Sequence, residues 1–330
     1  MILLIMISIT LAVIIAAMFV PLRGSCDLEI KHVKYTKLMN YESGLVWKSF
    51  NPSICKYKDG YMICYRCGTC SHKNIIATGI GKIYNTSHIK FMQVDNKFDI
   101  INISDPIFDI YRSSKNSIIP SMEDPRIIFH DNHFYVSTTL VKAENIFPVL
   151  YVFDREFKCT DILKYSKSEY FKVNEIGKVQ KNWCPFIHQG CIYIHTDSYP
   201  SWQVWKLTKT LWKCVIKWDS NAFFDDDSWS TRCSTSWKEY THKTYICAVH
   251  LKKFGRLSVT IRTVLVEIDK QTLIPLRRTK LLCLSESHDF IQFASGLEVD
   301  SGDVIIALGV NDYKFVITRI KKKDIRWLHK

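Results

Sequence analysis

An internal repeat constrains this chain most, because self-similarity at a fixed period marks architectures built by repeating one sheet unit. Five times the sequence gives a short polar start, a brief β-run, a tight turn and a second, aromatic-rich β-run. The first, NPSICKYKDGYMICYR, starts at Asn51 and turns at Asp59-Gly60. The second, EDPRIIFHDNHFYVSTT, starts at Glu123 and turns at Asp131-Asn132. The third, KNWCPFIHQGCIYIHTD, starts at Lys181 and turns at Gln189-Gly190. The fourth, RCSTSWKEYTHKTYICAVH, starts at Arg232 and turns near Thr241-His242. The fifth, IQFASGLEVDSGDVIIALGVND, turns at Ser301-Gly302. Turn pairs of this kind supply the positive φ that a two-residue hairpin loop needs.

The flanking segments alternate as strands do, for example Tyr61-Met62-Ile63-Cys64-Tyr65 and Cys191-Ile192-Tyr193-Ile194-His195. Further strand-like runs lie between the hairpins, such as Val149–Phe153 and Ser258–Val264. Repeat starts lie fifty to seventy residues apart, enough for a four-stranded sheet with its loops. Radial packing of such sheets makes a propeller whose innermost strands line a central channel. The expectation is therefore an all-β fold, a five-bladed β-propeller over residues 45–325, with a basic tail at 326–330. A β-sandwich is the alternative, but it gives no reason for polar residues at the head of every repeat. In a propeller those heads converge at one mouth of the channel.

Ahead of the repeats, residues 1–21 form a separate unit, followed by a juxtamembrane linker over 22–44 that leads into the propeller. Met1–Val20 carries no charged side chain. At 1.5 Å per residue such a run makes about 30 Å of helix, the thickness of a bilayer's hydrocarbon core. It reads as one N-terminal transmembrane helix, a signal-anchor more than a cleaved signal peptide, making the membrane a partner. The positive flank of Arg23, Lys31, Lys34 and Lys37 would place the body in the cytosol. The 12 cysteines and the sequons at Asn85 and Asn102 would suit an oxidising lumen.

The net charge of +13 fits an anionic partner, whether phospholipid, nucleotide sugar or sugar phosphate. The basic residues are scattered, and no helix-turn-helix, zinc-finger spacing or RNP-type aromatic pair occurs, so nucleic acid is not an expected partner. Cys64-x2-Cys67-x2-Cys70, with Cys55 and His72 nearby, superficially resembles a metal knot. Ile63-Cys64-Tyr65 continues a strand run, however, so buried thiols or a local disulfide are the plainer reading and no metal or cofactor is expected.

Three segments in order carry a family resemblance: Glu123-Asp124-Pro125-Arg126, Lys181-Asn182-Trp183-x-Pro185-Phe186 and Gly309-x-Asn311-Asp312. Over about residues 45–320 the chain resembles the five-bladed propellers of glycoside hydrolase family 130, the mannoside phosphorylases, and similar β-1,2-mannosyltransferases. The resemblance implies that Asp124 is the catalytic general acid, protonating a departing sugar oxygen, and that a partly dry channel keeps its proton near neutral pH. Glu123 and Arg126 would orient it, the latter by a charge-assisted bond. Asn51, Lys181, Asn182, Arg232 and Asp312 would bind substrate, and Trp183 would stack on a pyranose ring or pack within a blade. The phosphorylases' phosphate-binding arginines have no counterpart between Thr138 and Val152, where Lys142 is the one basic residue. The implied function is inverting sugar transfer to a glycan acceptor from a sugar phosphate or nucleotide sugar. A hydrolase or phosphorylase of the same fold, or a propeller that only binds glycans, are the alternatives.

Overall fold

The computed structural model describes residues 47–69, 87–108, 121–142, 145–164, 181–208, 212–224, 230–254, 259–285, 291–311 and 314–328. They form five antiparallel sheets. Blade 1 contains β1 (Trp47–Tyr57), β2 (Gly60–Thr69), β3 (Ser87–Val94) and β4 (Ile100–Ser104). Blade 2 contains β5 (Ser121–His130), β6 (His133–Lys142), β7 (Asn145–Phe153) and β8 (Cys159–Lys164). Blade 3 contains β9 (Cys184–His188), β10 (Cys191–Asp197), β11 (Ser201–Leu207) and β12 (Trp212–Asp219). A short helix, α1 (Asn221–Phe224), leads to blade 4. There β13 (Ser230–Cys233) and β14 (Lys238–Glu239) both pair with β15 (Thr244–Phe254), followed by β16 (Val259–Asp269) and β17 (Pro275–Thr279). Blade 5 shows β18 (Gln292–Asp300), β19 (Asp303–Val310) and β20 (Lys314–Lys321).

The ring closes through the innermost strands: β1 lies against β5 on one side and β18 on the other, and β5 against β9. Each of the five blade-to-blade seams has its own apolar core. Strand alternation explains how. On β2, Met62 and Cys64 face blade 2, whereas Tyr61, Ile63 and Tyr65 face blade 5. Both faces of a blade are buried, so its strands read as nearly continuous apolar runs. The same geometry dissolves the apparent cysteine knot. Cys64 and Cys67 stand three apart on one strand and enter different cores, so they cannot share a metal. Burial pushes the Cys55 thiol up to about 12 and the Cys64 thiol well above its ordinary value. Cys70 and His72 lie outside the described residues.

The expected hairpin turns stand, with one shift. Asp131-Asn132, Gln189-Gly190 and Ser301-Gly302 all adopt positive φ. In blade 1 the loop is Lys58-Asp59, with φ of 51° at Lys58, and Gly60 opens the next strand. Gly60 is needed for room, since a Cβ there would lie 2.1 Å from the Val94 carbonyl oxygen. The outer hairpins share a second repeat. Asp95, Asp154 and Asp269 each accept two backbone N–H bonds from the loop they open, and Phe98, Phe157 and Leu273 follow in left-handed conformation.

The C-terminal run expected as a solvated basic tail is partly built into the fold. Trp327–Leu328 forms β21, which pairs with β17 at the edge of blade 4. Trp327 packs against Tyr240 and beneath Arg277. The apolar segment 1–21 and the linker 22–44 lie outside the described residues. Among the described residues no helix is long and apolar enough to cross a membrane.

Candidate active site

Three repeats open with a left-handed residue: Asn51 at φ 50° on β1, Asp124 at 50° on β5 and Asn182 at 63°, two residues ahead of β9. Asn and Asp tolerate this region better than other side chains that bear a Cβ. In β1 and β5 these positions coincide with a bulge. Asn51 and Pro52 oppose Tyr65 alone on β2, and Asp124 and Pro125 oppose Thr138 alone on β6. β18 has the same irregularity between Ala294 and Gly296. A bulge re-aims the side chain it carries. Here it turns Asn51 and Asp124 toward each other across the seam between blades 1 and 2.

Asn51 Nδ2 donates to Asp124 Oδ1 at 2.7 Å. Arg66, on β2, donates from Nη2 to Glu123 Oε1 at 2.7 Å and places Nη1 3.5 Å from Asp124 Oδ1. Lys181 Nζ closes the group from blade 3, 3.0 Å from Glu123 Oε2. The Asp124 side chain is 14% exposed, that of Arg66 5% and that of Lys181 27%. The result is a compact charged cluster, partly exposed at Lys181 and slightly at Glu123 and Asp124. Burial pushes the Asp124 carboxyl up, but Arg66, Arg126, Lys181 and the Asn51 amide outweigh it and hold the group below its ordinary range. The balance favours the carboxylate and argues against the retained proton expected from the resemblance.

The role expected of Arg126 also changes. Its side chain is fully buried and binds main chain. Nη1 donates to the carbonyls of Asp124 at 2.8 Å and Pro125 at 3.0 Å, and Nε to that of Ser234. Nη2 reaches Asn182 Oδ1 at 3.2 Å. Arg126 therefore ties blade 2 to blades 3 and 4 and holds the Asp124 backbone, while Arg66 supplies the charge-assisted contact with its carboxylate.

Trp183 is buried in the seam between blades 2 and 3 with Leu150, Ile194, Trp205 and Trp212, so it offers no face to a sugar. Arg232 is exposed on β13, in register with His250, and makes no side-chain bond to the Asp124 cluster. Asp312 lies outside the described residues. Asn51, Glu123, Asp124, Arg126, Lys181 and Asn182 do converge. Arg66 was missed, and register could have found it: pairing back from the blade 1 turn sets Arg66 level with Asn51, at the polar start, and the bulge then moves it opposite Phe50. Among the described residues no cluster of three His, Cys, Asp or Glu is arranged for a metal.

No protein-family profile and no curated protein matches the sequence. Solved structures do match. A β-1,2-mannobiose phosphorylase from Listeria innocua is 12% identical with a TM-score of 0.59, covering 88% of this chain and 95% of that one. A structure from work on the GH130 family of mannoside phosphorylases and its hydrolases targeting β-1,2 mannosidic linkages is 13% identical, with a TM-score of 0.61. It covers 86% of this chain and 87% of that one. A mannose phosphorylase from Leishmania mexicana, in complex with phosphate, is 12% identical with a TM-score of 0.54, covering 91% and 92%. The chain thus has the five-bladed propeller fold of the family 130 mannoside phosphorylases.

Proposed function

We propose that this protein is an inverting mannosyl-transfer enzyme that takes its sugar from a sugar phosphate, with Asp124 as the group that moves the proton. The observation that carries this reading is the Asp124 carboxyl accepting from Asn51 beside Arg66, in a cluster with Lys181 and Arg126 that favours its ionised form. Being ionised, this carboxylate can accept a proton, although the cations that keep it ionised also weaken it as a base. It takes the proton of an acceptor hydroxyl as that oxygen attacks C1 of the mannosyl donor, while the C1–O bond to phosphate breaks and phosphate leaves with the electron pair. The cations attract the anionic donor and stabilise the charge developing on the leaving group. Run in reverse, the same residues perform phosphorolysis, with a protonated Asp124 as the acid.

Hydrolysis is less well served. It needs a second carboxylate to activate water, and Glu123 is engaged by both Arg66 and Lys181. Asp225-Asp226-Asp227, the other acidic candidate, lies outside the described residues. Membrane anchoring is inferred from the apolar segment 1–21 alone, and it suits a glycan acceptor held at a membrane.

The test is product analysis. The full-length chain is offered mannose 1-phosphate, or GDP-mannose in parallel, with mannose-terminated acceptors, and phosphate release is followed together with the new linkage. Asp124→Asn should retain sugar binding and thermal stability yet lose about 10²- to 10⁴-fold in rate. Full activity in that variant would move the proton transfer elsewhere. Sugar binding without turnover on any mannosyl donor would leave a glycan-binding propeller.

A further inference from the structure

We propose that Cys184 and Cys233 are a redox-active pair that forms a reversible disulfide across the seam between blades 3 and 4, behind the backbone that carries Asp124. The proposal stands apart from the sugar chemistry and is tested without it.

Strand alternation and register bring the two thiols together. On β9, Phe186 belongs to the apolar core shared with blade 4, and His188 Nδ1 lies 3.0 Å from the Tyr245 hydroxyl of that blade. Cys184 stands two residues before Phe186 on the same strand, so it faces blade 4 as well. On β13, Cys233 pairs with Val249, which belongs to the same core on the side of β15 toward blade 3. Opposite residues of an antiparallel pair point to one face, so Cys233 faces blade 3. Each thiol thus enters the seam from its own blade. The contacts agree. Ser198 Oγ lies 3.4 Å from Cys233 Sγ and 3.3 Å from Nε2 of His195, the residue in register with Cys184. Cys184 and Cys233 are both fully buried and hydrogen-bonded to each other.

Their surroundings make the pair unequal. Burial raises the Cys184 thiol, but the hydrogen bond from Cys233 and the Arg126 charge outweigh it and hold the group below its ordinary value. Burial pushes Cys233 well above that value, as it does Cys64 and Cys247. Core filling accounts for raised thiols and not for a lowered one beside a cation, so Cys184 is the attacking sulfur. Its thiolate attacks one sulfur of a small disulfide such as oxidised glutathione, and the other sulfur leaves as a thiolate. Cys233 then loses its proton and attacks Cys184 Sγ, which releases the second glutathione thiolate. Two protein thiols are oxidised to one disulfide, and one glutathione disulfide is reduced to two thiols that take up the protons. Arg126 already ties Asn182 Oδ1, two residues before Cys184, to the carbonyl of Ser234, the residue after Cys233. The disulfide fastens the same two segments at the same level, which makes the clamp behind Asp124 covalent.

Because both thiols are buried, exchange needs the seam to open, so dilute urea should speed it. The full-length chain is held in oxidised or reduced glutathione, with and without sub-denaturing urea. Free thiols are then trapped with N-ethylmaleimide and the bonds mapped by peptide mass spectrometry. Oxidation should join the peptides carrying Cys184 and Cys233, sooner in urea, and reduced glutathione should undo the bond. Closing a loop of about fifty residues should raise Tm by about 3–6 °C once urea is removed. Cys184→Ala and Cys233→Ala are each melted oxidised against reduced, so that any loss of stability from the substitution itself cancels, and the rise should vanish in both. Absence of the bond even in urea, a bond from Cys184 to Cys247 in its place, or an oxidative rise in Tm that survives in either variant overturns the proposal.

Discussion

Replacing Arg66 by methionine keeps the stem that packs near Phe50 but removes the guanidinium whose carbon lies 4.9 Å from that ring centroid. Glu123 Oε1 loses its 2.7 Å donor, and Asp124 loses a cation 3.5 Å away. Breaking a fully buried ion pair costs about 3–5 kcal/mol, because the surviving charge is left uncompensated. Here the two carboxylates are 15% and 14% exposed and keep Lys181 and Asn51 as partners. That mitigation brings the expected loss to about 2–3 kcal/mol, or a Tm lowered by about 3–5 °C at this chain length. One of the cations that hold Asp124 ionised is gone, so the acid limb of the pH–rate profile moves to higher pH. The assay is a thermal melt on Arg66→Met, Glu123→Gln and the double variant, with the pH–rate profile of the first. Contact between the two side chains requires non-additive losses, with a coupling of about 1–2 kcal/mol. Fully additive losses, or a Tm within about 1 °C of wild type, would show that Arg66 does not support this site.

Two further predictions test its surroundings. A Cβ at Gly309 would fall 2.0 Å from Asn51 Oδ1, so Gly309→Ala should displace Asn51 from Asp124 and cost about 1–3 kcal/mol; unchanged stability and rate would refute that close approach. His195 and His250 are held to about 3 by burial, with nearby cations adding to the effect at His250, so both stay neutral in the folded chain while the unfolded chain protonates near 6.5. Because the unfolded state then binds more protons, their contribution is complete above pH 6.5 and declines toward about 3, at up to about 2.7 kcal/mol per pH unit for the two. Urea denaturation across that window checks this, and His250→Gln should halve the histidine share of the slope.

What the sequence made legible was whatever repeats. The hairpins at Asp131-Asn132, Gln189-Gly190 and Ser301-Gly302 recur with turn chemistry that local rules read, and they fix five sheets. The loop at Lys58-Asp59 was misplaced by one residue because glycine has two uses. Gly60 serves close approach to Val94, and a single sequence does not separate that from positive φ. Trp183 was illegible for a similar reason. An aromatic residue beside polar ones suits a sugar platform and a blade seam equally, and only the neighbours Trp205 and Trp212 decide for the seam. The strap at Trp327–Leu328 was hidden because its partner strand, Pro275–Thr279, is about fifty residues away and belongs to another blade.

The exchange of roles between Arg126 and Arg66 shows where local reading fails at the site itself. Proximity in sequence placed Arg126 beside Asp124, two residues on. The left-handed Asp124 and its bulge break the alternation between them. The carboxylate consequently turns toward blade 1, while the guanidinium enters the ring's interior, reaching Ser234 and Asn182. A buried arginine bound to backbone carbonyls on neighbouring blades is a clamp, and it fixes the backbone from which the reactive carboxylate projects. The vacant electrostatic role falls to Arg66, fifty-eight residues earlier, because β2 delivers it opposite Phe50. The bulge that makes Asp124 accessible is thus also what assigns its ion-pair partner to a different blade.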